Sequence, residues 1–272
     1  MNTLTESRIT RVFMEQSNKP LFIPFITAGD PAPEVTVELV ETLAGAGADV
    51  IELGVPYSDP LADGPTIQAA SERALKQGVT LTSVLEMAAT IRKKGLTVPL
   101  VLFTYYNPIL RIGIDQLCER ATAAGFDGMI VPDLPYEENA QLLNAAERNG
   151  LALIPLVAPT SEKRIQRLVS NARGFVYCVS SLGTTGTRDS FAGDTMLFLD
   201  RVRRLSPIPI AVGFGISKRE HVVQFAPHVD AVIVGSALVR QIESVRDELL
   251  DPDLKKSGLQ RIAQFVRMLK NE

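Results

Sequence analysis

The stretch from Ala48 to Pro65, "ADVIELGVPYSDPLADGP", gathers four carboxylates between Asp49 and Asp63 in a segment too rich in Pro and Gly for a regular helix. Its short apolar run, Val50 to Leu53, reads as a buried strand with Glu52 inside it. Alternation puts Glu52 on the same side as Val50, and no nearby strand offers a lysine or arginine to pair with it. An ionised carboxylate buried alone is costly, so the group holds its proton instead. Desolvation is therefore expected to raise the Glu52 pKa into the range of a general acid or base near neutrality. Behind it, Asp59 precedes Pro60 and Asp63 precedes Gly64, both common turn placements. Either aspartate can bring a second carboxylate over a ligand, and local chemistry leaves the choice open.

A second cluster lies late in the chain. "SSLGTTGTR" holds Gly183 and Gly186, "VGFGIS" holds Gly213 and Gly215, and "VGSALV" places Gly235 and Ser236 at the start of a helix. Backbone N–H groups and a helix N-terminus hold a phosphate dianion well, and glycine lets the backbone approach it closely. Three such turns after successive strands predict a phosphate site. Phe25, Phe103 and Tyr105 end two earlier strands, and Tyr177 lies in a later one; they either fill the core or wall a flat apolar ligand. Asp133, in "IVPDLPYEE", is open to a catalytic, structural or interface role. The two cysteines, Cys118 and Cys178, read as buried free thiols. Neither His221 nor His228 has a companion at metal-ligand spacing, so no metal is expected.

These residues need a frame to position them. Strand-like runs occur at Leu21–Ile26, Val50–Leu53, Leu100–Tyr105, Gly128–Val131, Leu153–Val157, Phe175–Val179, Ile210–Val212 and Ala231–Val234. Amphipathic segments such as "PEVTVELVETLAGAG" and "IDQLCERATAAG" separate them, several ending in a capping glycine. "AGAGADVIELG", "AAGFDGMIVPD" and "APHVDAVIVGS" look like weak copies of one unit. Eight strands alternating with helices predict an α/β fold, a single (β/α)₈ TIM barrel over residues 1–272. A doubly wound sheet is the rival, but its glycine fingerprint is missing after Ile26. An extra N-terminal helix and additional helices in the βα loops, between the second and third strands, decorate the barrel. The run "LKKSGLQRIAQFVRMLKNE" is expected to close the outer ring.

Of the 272 residues, 46% are apolar, and the formal net charge is −3 with no lysine/arginine block, which argues against a nucleic-acid footprint. The N-terminus lacks the apolar core of a signal peptide, and no run is long enough to span a bilayer, so a cytoplasmic location is expected.

"ELGVPYSDPLADGPTIQ", together with "PFITAGDP", "YYNPIL", "TTGTR", "GFGIS" and "GSALV", resembles the tryptophan synthase α-subunit family along almost the whole chain. The resemblance implies a lyase that cleaves indole-3-glycerol phosphate to indole and glyceraldehyde 3-phosphate without a metal or organic cofactor. It also implies a pyridoxal phosphate β subunit as partner in an α2β2 heterotetramer. Carried over residue by residue, it makes Glu52 and Asp63 catalytic and places Phe25, Phe103, Tyr105 and Tyr177 around the indole. It assigns Gly186, Phe214, Gly215, Gly235 and Ser236 to the phosphate and Thr185 to a mobile loop. Pro60, Asn107 and Pro135 match positions at the partner interface. A free-standing lyase, or another phosphate-binding barrel isomerase, is the alternative.

Overall fold

A strand buried on both faces can serve only a closed or doubly covered parallel sheet, and the computed structural model shows how the chain meets that demand. It describes residues 7–15, 20–179, 193–213 and 215–270. Nine parallel strands run β1 Leu21–Thr27, β2 Ile51–Gly54, β3 Leu100–Phe103, β4 Gly128–Ile130, β5 Ala152–Leu153, β6 Leu156–Val157, β7 Val176–Val179, β8 Ile210–Gly213 and β9 Ala231–Val234. Their order is β5-β4-β3-β2-β1-β9-β8-β7-β6. The two ends of that order are consecutive in sequence. Ile154 donates its N–H to Met129 O at 2.9 Å on one side, and Pro155 O accepts from Tyr177 N at 2.9 Å on the other. Pro155 has no N–H to give, so one strand is divided there into two short ones. The ring closes as the expected TIM-barrel fold, with the fifth strand split.

Other boundaries moved by a few residues. The third strand stops at Phe103 rather than Tyr105, because Tyr106–Ile112 is a helix. The Asp133 carboxylate accepts from the Tyr106 N–H at 2.9 and 3.2 Å, which anchors that helix start. Pro108 falls in the first turn, where its missing N–H breaks no helical bond.

Alternation sorts the strand residues into two sets. Ile23, Val50, Val101, Ile130, Ile154, Phe175, Ala211 and Ile233 fill the barrel interior. Phe22, Ile26, Ile51, Leu53, Leu102, Val212 and Val232 face the helices. The N-terminal helix Arg8–Met14 packs Ile9 and Phe13 into the interior set, with the Phe13 and Phe175 rings 5.8 Å apart. As expected, two helices, Pro65–Lys76 and Leu81–Lys93, lie between β2 and β3. The last helix, Lys255–Lys270, buries Ile262, Val266 and Leu269 in the same cluster as Leu39 and Leu43 of helix Pro33–Gly45. Cys118 and Cys178 are buried free thiols.

The three weak sequence copies have one physical meaning. Each places an aspartate at the foot of its strand, where the carboxylate accepts from the neighbouring strand's first N–H groups. Asp49 takes Phe22 N at 2.7 Å, Asp127 takes Leu100 N at 2.9 Å, and Asp230 takes Ile210 N at 2.8 Å. In the same three places the aspartate's own N–H donates back to the carbonyl of Phe22, Leu100 or Ile210, at 2.9 Å each. These paired bonds fix the register at the N-terminal face. Asp127 carries more: Arg8 Nε donates to it at 2.7 Å and Arg92 Nη2 at 3.1 Å, while both guanidiniums also donate to Gly125 O. Burial and the nearby Arg8 charge lower the Arg92 pKa to about 10, against the pull of Asp127.

Removing that carboxylate leaves two half-buried guanidiniums facing each other. Asp127→Ala should therefore lower the unfolding free energy by about 3 kcal/mol. Thermal denaturation should show the midpoint fall by roughly 5–10 °C; an unchanged midpoint would remove Asp127 from the stability of this face.

Candidate active site

The register of β1, β2 and β3 assembles the centre of the site. Phe25 pairs with Glu52, and Glu52 pairs with Val101. All three side chains point inward, Val101 within the apolar set that contains Val50 and Glu52 one alternation step beyond Val50 on its own strand. Glu52 is 0% exposed, and neither of its carboxylate oxygens has a hydrogen-bond partner among the described residues. Desolvation alone pushes its pKa up to about 8, as the sequence led one to expect. Around pH 7 the side chain is a neutral carboxylic acid.

The Phe25 and Phe103 rings meet edge to face, centroids 5.4 Å apart at 78°. They form one apolar cluster with Ile67, Ala70 and Val239. Gly54 makes the Phe25 position possible: a Cβ there would stand 2.5 Å from Phe25 Cζ. Gly213 does the same for Tyr177, whose Oη would lie 2.5 Å from an added Cβ. Sequence reasoning missed Gly54 and counted Gly213 only among the phosphate turns. The available signal was a glycine at an inward strand position, two residues after Glu52 or Ala211. Burial, with the charges of Glu52 and Asp63 nearby, lifts the Tyr177 phenol well above its ordinary pKa. Tyr177 therefore lies within electrostatic reach of both carboxyls and keeps its proton.

The geometry separates the two candidate aspartates. Asp59 is exposed and accepts from Ser58 Oγ at 2.6 Å, a turn former. Asp63 is 8% exposed and accepts from Tyr105 Oη at 3.0 Å, while Tyr105 Oη itself accepts from Ala62 N at 3.0 Å. Tyr57 stacks on Tyr105 at 4.7 Å. Tyr105 thus grips the carboxylate loop with its hydroxyl. Burial raises the Asp63 pKa to about 6, and the Tyr105 hydrogen bond partly offsets that rise. The backbone holds too: Asp63 N–H donates to Pro60 O, and Gln68 Nε2 donates to Asp63 O at 2.8 Å.

Helix Pro65–Lys76 begins directly after this loop. Its Arg73 forms a two-pronged pair with the buried Asp30 at 2.6 and 3.0 Å and reaches Glu243 at 2.9 Å. Glu243 lies on helix Ser236–Ser244, the helix opened by Gly235. The helix that follows the Asp63 loop and the helix opened by Gly235 are therefore braced against each other at their C-terminal ends. Neither Asp30 nor Arg73 carried a local sequence signal, because their meeting depends on the barrel closing.

Of the phosphate candidates, Gly215 adopts φ +79°, which favours glycine. Gly235 packs against Phe25 at the foot of its helix, and Ser236 is buried in the first helical position. Thr185, Gly186 and Phe214, with Gly183, lie outside the described residues. On the rim, Asn107 and Pro135 are exposed, Pro60 is half-buried, and the adjacent Leu61 is 91% exposed.

Comparison with known proteins bears on this arrangement. Residues 13–272 match the family model described as "Tryptophan synthase alpha chain". The chain is 53% identical over 251 residues to the tryptophan synthase alpha chain of Halalkalibacterium halodurans, covering 92% of this chain and 95% of that one. It is 48% identical over 251 residues to the alpha chain of Bacillus subtilis, covering 92% and 94%. Among solved structures, the alpha chain of Legionella pneumophila superposes with a TM-score of 0.85 at 34% identity, over 97% of this chain and 98% of that one. The tryptophan synthase α2β2 complex of Pyrococcus furiosus gives a TM-score of 0.83 at 37% identity, over 93% and 98%.

The buried acid has a thermodynamic signature. The Glu52 pKa of about 8 in the fold, against 4.5 for the free side chain, means the native state binds the proton more tightly. That contribution to stability is present below pH 4.5 and is lost as the pH rises through 8. Glu52→Gln should match the parent near pH 4.5 and become more stable above it, by roughly 4 kcal/mol at pH 9. Denaturant unfolding at both pH values checks this; a difference independent of pH would mean Glu52 is ionised in the fold.

Proposed function

The chain belongs to the tryptophan synthase alpha chain family, lyases of tryptophan biosynthesis, and from that premise we propose that it cleaves indole-3-glycerol phosphate into indole and glyceraldehyde 3-phosphate. The observation that carries this reading is the pair of unlike carboxyls: a buried acid, Glu52, and a phenol-held carboxylate, Asp63. Between pH 6 and 8 the first is protonated and the second ionised, a recurrent division of labour at active sites.

The chemistry needs both states. Indole leaves a carbon–carbon bond only once ring C3 is protonated. Glu52 gives that proton, and Asp63 accepts the ring N–H and stabilises the positive charge of the resulting indolenine. Glu52, now a carboxylate, takes the proton of the adjacent glycerol hydroxyl. The C–OH becomes an aldehyde, and the electrons of the broken bond return to the ring. Phe25 and Phe103 flank the ring, Tyr177 supplies a further donor, and Gly215, Gly235 and Ser236, with Gly186 and Phe214, hold the phosphate. Each acid–base group of this kind contributes about 10²–10⁴-fold in rate.

We extend the proposal to the partner. The Pyrococcus furiosus relative is an α2β2 complex whose subunits activate each other. This chain presents Pro60, Leu61, Asn107 and Pro135 on the rim beside the Asp63 loop. A β subunit docked there restricts that loop to its working geometry. Thr185, which follows β7 in the sequence, is assigned the same closing role. The protein acts as one domain over residues 1–272, in the cytoplasm, where its phosphorylated substrate is retained.

The test is the rate of indole release from indole-3-glycerol phosphate by the purified chain, alone and with a β subunit. The pH profile of kcat/KM should rise near 6 as Asp63 ionises and fall near 8 as Glu52 does. Glu52→Gln should lower kcat by at least about 10²-fold while phosphate-ligand affinity stays within about twofold. Turnover near the parent value would remove Glu52 from the chemistry. Adding β subunit should raise the rate about tenfold or more; full rate alone, with no complex at micromolar concentration, would indicate a free-standing lyase.

A further inference from the structure

Among the described residues, four buried side-chain oxygens lack a hydrogen-bond partner: both of Glu52, Glu38 Oε2 and Thr27 Oγ1. Glu38 Oε2 is compensated by Lys255 Nζ at 3.0 Å. The Glu52 oxygens belong to the site described above. Thr27 Oγ1 has no such account, and the residue is 3% exposed.

A threonine hydroxyl at a strand end usually finds a backbone group in the following turn. Here those groups are taken. Ala28 N–H donates to Gly54 O at 2.8 Å, Gly29 N–H to Thr36 Oγ1 at 2.8 Å, and Asp30 N–H to Thr27 O at 3.2 Å. The turn is complete without the Thr27 side chain. Valine has the same shape and no polar atom to leave unpaired, so packing alone does not call for threonine.

Its position shows what the hydroxyl is for. Alternation along β1 places Thr27 on the same inward face as Ile23 and Phe25, one step nearer the open end of the barrel. Across the ladder it pairs with Gly54, where the Phe25 ring stands in the place of a side chain and no polar group is offered to the hydroxyl. β1 lies between β2, which carries Glu52, and β9, which leads into Gly235 and Ser236. A ligand with its scissile bond at Glu52 and its phosphate at Gly235 must lay the connecting chain across the end of β1.

We propose that the Thr27 hydroxyl is a binding group for a hydroxyl of the substrate's glycerol chain, and that it favours hydroxylated ligands over deoxygenated ones. This rests on the functional reading above. A threonine both donates and accepts, as an alcohol requires, and the bound ligand supplies the partner that the free protein lacks.

The experiment compares Thr27→Val and Thr27→Ser in the full chain with two ligands: indole-3-glycerol phosphate, followed by kcat/KM, and 3-(indol-3-yl)propyl phosphate, which lacks both hydroxyls, followed by calorimetric Kd. Thr27→Val should lower kcat/KM about tenfold or more while changing the Kd of the deoxygenated ligand less than about twofold. Its ligand-free melting midpoint should be unchanged or higher, and Thr27→Ser should retain most of the activity. Equal losses for both ligands, a kcat/KM within about twofold of the parent, or a lowered midpoint would each overturn the proposal. A parent chain that binds neither ligand would overturn the functional reading itself, a result visible before any variant is made.

Discussion

A closed parallel sheet allows each strand only one alternation, and everything at the active end follows from it. Once Val50 faces the interior, Glu52 must face it too, one layer higher, with helices sealing the other side. Phe25, Phe103 and Tyr177 are bound by the same rule on β1, β3 and β7. A carboxyl so placed is shut off from solvent and meets no cation among the described residues, and its proton is retained because ionisation there is expensive. The acid is a product of the fold's geometry rather than of a special neighbour. Its glycines follow from the same constraint: Gly54 and Gly213 occupy inward positions that aromatic rings have already filled.

The second carboxyl obeys a different logic. Asp63 lies on a loop, and loops have no alternation to fix them. Its placement comes from a chain of contacts: the Tyr105 hydroxyl, the Tyr57 ring behind it, the Gln68 amide, and the helix anchored through Arg73 to Asp30. One group is held by the barrel, the other by the barrel's decorations. Such a loop can respond to what docks beside it, while Glu52 cannot.

This difference also explains what was legible in the sequence. Glu52 was readable because a charged residue in an apolar period-two run has few explanations. The strands were readable for the same reason, and their ends moved by more than one residue only where a helix start or a proline intervened, at Tyr106 and Pro155. Asp63 could not be told from Asp59 by local chemistry, since the discriminating contact is with Tyr105, 42 positions away. Tyr105 looked like a wall of the pocket, and its hydroxyl role emerged only with the fold. The aspartates at the strand feet appeared in the sequence as a faint repetition whose meaning required the neighbouring strand. The Asp30–Arg73–Glu243 brace left no local trace at all.

Pro155 gives the ring a seam. Everywhere else a continuous strand is bonded on both sides, whereas the closing strand serves β4 with its first half and β7 with its second. At the break one amide is missing, and the ladder on each side is two residues long. Resistance to opening is therefore uneven around the circumference. The β1–β2 wall that fixes Glu52 and Phe25 lies on the far side from this gap in the strand order. A breathing motion that parts the seam leaves Glu52 undisturbed, so the barrel can be compliant at one longitude and rigid at the opposite one.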